Sequence, residues 1–146
     1  MFGYCIWYRI KDPVLIDSIH ILSNYLNLDI LSPHITFKCN MNNEKSKNIY
    51  FNLKKKDIDV FIKKGEPYQT KTENFFAIQQ DYVKLNDNKN KYHISLAYKV
   101  DTCFTEEEIN LSKKINIPEI IDKKYITFQR WWCDTTDYIK WKLLDL

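Results

Sequence analysis

At 146 residues, 45% of them hydrophobic and 15% aromatic, the chain has material for one substantial core, and two glycines and four prolines argue against a disordered or low-complexity protein. A formal charge of +3 suits an anionic small ligand but is too mild for extended duplex binding. No apolar run approaches the ~20 residues that span a bilayer, and Met1-Phe2-Gly3-Tyr4 lacks the basic-then-apolar pattern of a signal peptide.

In chain order, residues 2–10 are dense in aromatic and β-branched side chains and predict a strand. Asp12-Pro13 supplies a cap and a proline at the first helical position. Leu15, Ile16, Ile19, Leu22 and Leu26 then recur at helical spacing, predicting an amphipathic helix over 13–26. Ser32-Pro33 opens a strand over about 33–39, followed by a polar loop from Asn40 to Asn48 and a strand over 49–53. Residues 57–64 fit either a short helix or a strand. Residues 68–78 and 82–85 read as a hairpin with Gln80-Asp81 near its turn, and Asn86 to Lys91 as a second turn before a strand over 92–99. Thr105-Glu106-Glu107-Glu108 has the form of a capping box and starts a helix to about Ile115. The tail from Glu119 predicts two strands joined by a turn at residues 134–137. Strands dominate, two or three helices accompany them, and no linker divides the chain, so a single α+β domain over 1–146 is expected.

Cys5, Cys39, Cys103 and Cys133 are widely spaced with no CxxC pair, and read as reduced, mostly buried thiols of a cytoplasmic protein.

Two short segments are near copies: His34-Ile35-Thr36-Phe37 and His93-Ile94-Ser95-Leu96. In a strand, residues two apart share a face. His34 and Thr36 therefore project together, as do His93 and Ser95, while Ile35, Phe37, Ile94 and Leu96 enter the core behind them. Two imidazoles and two hydroxyls offered to one groove are what acid–base chemistry on a phosphate ester needs. A single match of this kind is common in ordinary sheets; two in a chain with three histidines are not. The third, His20, falls within the first helix and reads as an ordinary helix residue. The carboxylates show no ligand-like spacing with the histidines, so neither a metal nor another cofactor is expected.

On these motifs the chain resembles the two-histidine, or LigT-like, phosphoesterase superfamily, in which each half supplies one H-x-[ST]-apolar strand to a central cleft. The resemblance implies bilobal antiparallel sheets around that cleft, helices packed outside, and metal-independent cleavage of phosphodiesters. Tyr92 to Val100 and Ile117 to Tyr125 look most like phage anti-CBASS nucleases, which degrade cyclic oligonucleotide signals. The chain also looks like LigT-like enzymes of eukaryotic viruses that act on cGAMP. The substrate so implied is a cyclic dinucleotide signal such as cGAMP, with immune evasion as the biological sense for a viral source. The same likeness puts Tyr4 on the groove, Thr127 where those enzymes carry an acidic residue, and a substrate-binding tryptophan at Trp131, or at Trp132 if a bulge intervenes. One departure is plain: those relatives carry a helix before the second histidine strand, where this chain has only Asn86 to Lys91.

The chemistry follows from residue types. An imidazole with a pKa near ~6.5 serves as base or acid around neutrality, so one histidine takes a proton from the attacking oxygen and the other protonates the leaving oxygen. Either histidine fits either role. Thr36 and Ser95 are placed to bond the non-bridging phosphate oxygens. A partner protein or membrane is not needed; a small nucleotide is. Two other readings stand beside this one. The same catalytic set could act on linear 2′–5′ oligoadenylates or RNA ends bearing a cyclic phosphate. Alternatively, the chain is a non-catalytic nucleic-acid-binding sheet that uses Trp7, Trp131, Trp132 or Trp141 as stacking platforms.

Overall fold

The computed structural model describes residues 2–71, 75–134 and 142–144. The chain opens with strand β1 (Phe2–Ile10). Asp12 then accepts backbone N–H bonds from Val14 and Leu15 and launches helix α1 (Pro13–Leu26), which ends at Asn27 in the left-handed conformation. Leu15, Ile19 and Leu22, one helical stripe, are fully buried beneath it. Strand β2 (His34–Met41) follows, then helix α2 (Asn43–Lys54). Strands β3 (Phe61–Lys71), β4 (Phe76–Lys84) and β5 (Asp87–Lys99) form a meander. Helix α3 (Glu106–Ser112) carries the expected reciprocal capping box between Thr105 and Glu108. A two-residue strand β6 (Ile120–Ile121) precedes β7 (Ile126–Asp134) and the short β8 (Lys142–Leu144).

The fold is α+β. Seven strands form one antiparallel sheet in the order β6-β3-β4-β5-β2-β1-β7, and β8 extends it beside β7. The main core lies between this sheet and α1 and α3, with Tyr8, Ile10, Ile35, Ile78, Tyr82, Ile94 and Leu96 from the strands. A second cluster places Ile6 and Met41 against Tyr50 and Leu53 of α2. All three helices therefore cover one face of the sheet. The residues that alternate with these core positions form the opposite, open face, on which no helix packs among the described residues.

Four local expectations are corrected. Residues 43–54, expected as a loop and a strand, form α2: the buried positions Ser46, Tyr50 and Leu53 keep helical spacing, but the first is polar because it accepts a hydrogen bond from buried Arg130. Gln80 and Asp81 lie inside β4, not at a turn. The Gln80 amide nitrogen donates to the carbonyls of Lys64 and Gly65, where β3 bulges away from its partner, so its buried N–H donors are satisfied within the sheet. Of residues 57–64, 57–60 are irregular while 61–64 belong to β3, the strand alternative, and the second turn shortens to Leu85-Asn86 because β5 pairs with β4 from Asp87 onward. The turn expected after Asp134, and Trp141, lie outside the described residues.

The reduced-thiol expectation is overturned for two cysteines: Cys5 and Cys39 form a disulfide that ties β1 to β2. They are 34 residues apart in sequence and meet only because the two strands pair. Cys133 is a buried free thiol and Cys103 an exposed one. Among the described residues no helix is long and apolar enough to cross a membrane.

Candidate functional site

The two histidine motifs come together at the centre of the sheet. Strands β2 and β5 pair antiparallel through Ile35 and Ile94, the middle residue of each motif. A local twofold axis runs through a residue pair of an antiparallel ladder. His34 is thereby related to His93, and Thr36 to Ser95, and each histidine lies across from the other motif's hydroxyl. Ile35 and Ile94 are fully buried on the helix side, so all four flanking side chains project to the open face. Among the described residues this pair is the whole ladder between β2 and β5, and the two halves of the sheet are joined there.

The two imidazoles have unlike surroundings. The His34 ring is buried and stacks on the Trp7 indole, centroids 3.3 Å apart and planes 8° from parallel. Its Nδ1 lies 2.8 Å from the Ser32 carbonyl oxygen. A carbonyl only accepts, so Nδ1 carries the proton and Nε2 is the basic atom. The segment supplying Ser32 is anchored by Leu31, which packs with Phe75, Ala77 and Tyr98. Burial pushes the His34 pKa down to about 3 against the opposing Ser32 bond, with the charges of Arg9 and His93 adding to the depression. His34 is a neutral imidazole at neutral pH.

His93 is exposed. Partial desolvation of its ring lowers its pKa, and the carboxylate of Asp81, its partner in the β4–β5 ladder, works against that. Asp81 is held in place: it accepts a 2.8 Å hydrogen bond from the Tyr68 hydroxyl, which itself accepts one of 2.8 Å from the Gln79 amide. Gln79 lies across from Ser95. Ser95 in turn bonds the Tyr98 hydroxyl, whose pKa burial raises to about 12, so that group stays a neutral phenol.

The other half of the open face is read off the ladder rows. Arg9 of β1 stands between His34 of β2 and Thr127 of β7; Trp7 stands between Thr36 and Gln129; Cys5 faces Trp131. Trp131 stacks on Trp7 at 4.3 Å, with its Nε1 donating to Gln129 at 3.1 Å, so Trp131, Trp7 and His34 form a continuous three-ring stack. The β1–β7 register runs without interruption from Phe2 to Ile10. Thr127 and Trp131 therefore share the open face, and Trp132 pairs with Tyr4 on the other. Tyr4 is not brought to the histidines. It packs under the guanidinium of Arg130, which bonds Asn43 and Ser46 of α2, on the helix-covered face.

The sulfurs of Cys5, Cys39 and Cys133 lie within 4.8 Å of one another. With two of them joined, and burial raising the Cys133 pKa to about 12, this trio presents a neutral thiol beside a disulfide, which is a poor donor set for a cation.

Arg9, Asp81, Tyr68 and Gln79 belong to this face and escape the sequence reading, and Trp7, read there only as a stacking platform, joins them beside His34. Strand alternation does put Trp7 opposite Tyr4, but joining any of the five to a histidine requires the cross-strand register. No protein-family model matches the chain, and no curated protein matches it. What the fold and site define is an α+β protein in which the sheet face opposite the three helices carries a twofold-related pair of His/hydroxyl motifs.

Proposed function

We propose that this chain is a two-histidine phosphodiesterase that cleaves a small nucleotide, with a cyclic dinucleotide signal such as cGAMP the leading substrate. The observation that carries the reading is the Ile35–Ile94 pairing, which presents both motifs to one face around a local twofold. The fold is one continuous sheet, and that pairing supports reading its two halves as the two sides of a LigT-like site.

The unlike surroundings support one division of the roles left open by the motifs. Neutral His34, with Nδ1 committed to Ser32, is the base through Nε2. His93 is the acid in the fraction of molecules that carry its proton, a form that desolvation disfavours and the Asp81 carboxylate works to keep. A ribose 2′-hydroxyl gives its proton to His34 as its oxygen bonds phosphorus; the bond from phosphorus to the leaving 5′-oxygen breaks, and that oxygen takes the proton of His93. The products are a 2′,3′-cyclic phosphate and a 5′-hydroxyl, and solvent returns a proton to His93 and removes one from His34. Proton transfer on both sides of phosphorus needs no metal ion. Thr36 and Ser95 donate to the non-bridging oxygens, where charge grows in the transition state. Trp131, continuing the stack beside His34, offers a ring for a nucleobase, an interaction worth ~1–3 kcal/mol per base.

The test is product analysis by mass spectrometry with EDTA present. Cyclic dinucleotides, linear 2′–5′ oligoadenylate and RNA ending in a cyclic phosphate are offered to wild type, His34→Ala and His93→Ala. Each variant is expected to lose ~10²–10⁴-fold in rate on one substrate class. Turnover of the linear substrates alone moves the enzyme to RNA-end or oligoadenylate processing. No turnover, with nucleotide binding unchanged in both variants, makes the face a non-catalytic binding sheet.

A further inference from the structure

Arg9 is one of only two arginines among 22 basic residues in a chain that otherwise uses lysine. The other, Arg130, spends its planar fork inside the protein: it is 5% exposed, bonds Asn43 and Ser46, and lies over the Tyr4 ring. Arg9 has no such occupation. Among the described residues its guanidinium makes no hydrogen bond and no ion pair. It is half-buried, and that burial disfavours its charge. A partly desolvated cation without a partner is unfavourable unless something outside the protein supplies the anion. Its position says which anion. It lies in one ladder row with His34 and exposed Thr127, on the face that carries both motifs. Its charge reaches the His34 ring.

We infer that Arg9 is a phosphate-binding residue, its fork taking non-bridging oxygens of the substrate's phosphodiester beside His34. Guanidinium geometry matches two oxygens of one phosphate, which an ammonium does not. Bound there, the phosphate is held on the side of the attacking oxygen, with Arg9 compensating its charge while His34 remains neutral. As a phosphodiester ligand this rests on the proposed phosphodiesterase reading; as an anion site it stands on its own geometry.

The experiment uses the whole chain as wild type, Arg9→Gln and Arg9→Lys, with folding of each checked by circular dichroism and thermal melting. Inorganic phosphate is titrated against each, followed through the imidazole NMR signals of His34 and His93. Where the product assay finds a substrate, kcat and KM are measured on it. Wild type is expected to bind phosphate with a shift at His34. Arg9→Gln should lose that shift and about 10²–10³-fold in kcat/KM, the scale of removing one oxyanion donor, while Arg9→Lys keeps weakened binding. Phosphate affinity or kcat/KM unchanged in Arg9→Gln overturns the inference, as does a wild type that binds no phosphate. A wild type that turns over no nucleotide but binds phosphate through Arg9 removes the phosphodiesterase reading and leaves the anion site standing.

Discussion

Replacing His34 by Gln should change how stability depends on pH, whatever the substrate. In the folded chain His34 is buried against Trp7 and its pKa falls from 6.5 to about 3, so it stays unprotonated through mildly acidic solution. The unfolded chain takes up that proton near ~6.5. Between these values the unfolded state binds more protons, and stability falls as pH falls. Each pH unit across the window costs about 1.4 kcal/mol, so acidification from about 6.5 to about 4.5 removes roughly 2–3 kcal/mol through this one group. The Gln variant lacks it, while carboxylates and His93 contribute equally to both proteins. Urea unfolding of the pair at several pH values should therefore show wild type losing roughly 2–3 kcal/mol more than His34→Gln over that window. Equal slopes, or an NMR titration of the His34 ring near its ordinary value, would refute the buried, Trp7-stacked histidine.

Asp81→Asn keeps an acceptor for the Tyr68 hydroxyl but removes the charge that props up the His93 pKa. The alkaline limb of the kcat/KM profile, set by loss of the His93 proton, should move to lower pH; an unmoved limb would take Asp81 out of the acid's environment. Gly3→Ala places a Cβ 2.8 Å from the Asn40 Cα, where β1 and β2 bulge, and should cost ~1–3 kcal/mol in urea unfolding; a neutral result would contradict that close approach. The Cys5–Cys39 bond closes a loop across a separation of 34 residues and should contribute about 4 kcal/mol by chain entropy. Under denaturing, non-reducing conditions only Cys103 and Cys133 should react with a thiol reagent, and four reactive thiols would disprove the bond.

Helix α1 shows what local chemistry settles without help. Asp12 and Pro13 mark its start, the buried stripe Leu15, Ile19 and Leu22 fixes its face, and the expected span 13–26 is the span observed. Strand β1 and the Thr105–Glu108 capping box are legible for the same reason: every signal lies within a few residues of the element it specifies. Helix α2 was hidden because one of its core-side positions is Ser46, whose burial makes sense only once Arg130, 84 residues away in sequence, is seen bonding to it. Gln80 reads as a turn residue because the Lys64 and Gly65 carbonyls that accept from its amide nitrogen belong to a different strand.

The candidate site divides along the same line. Strand alternation, a property of adjacent residues, already put His34 with Thr36, His93 with Ser95, and Thr127 with Trp131. Only the folded sheet decided that Ile35 pairs with Ile94, that Trp7 stacks on His34, that Tyr4 belongs to the helix-covered face, and that Arg9 and Asp81 stand beside opposite histidines. A strand's period dictates which side chains share its face, but its partner and register are set by burial of the whole core, and that is a property of no single segment.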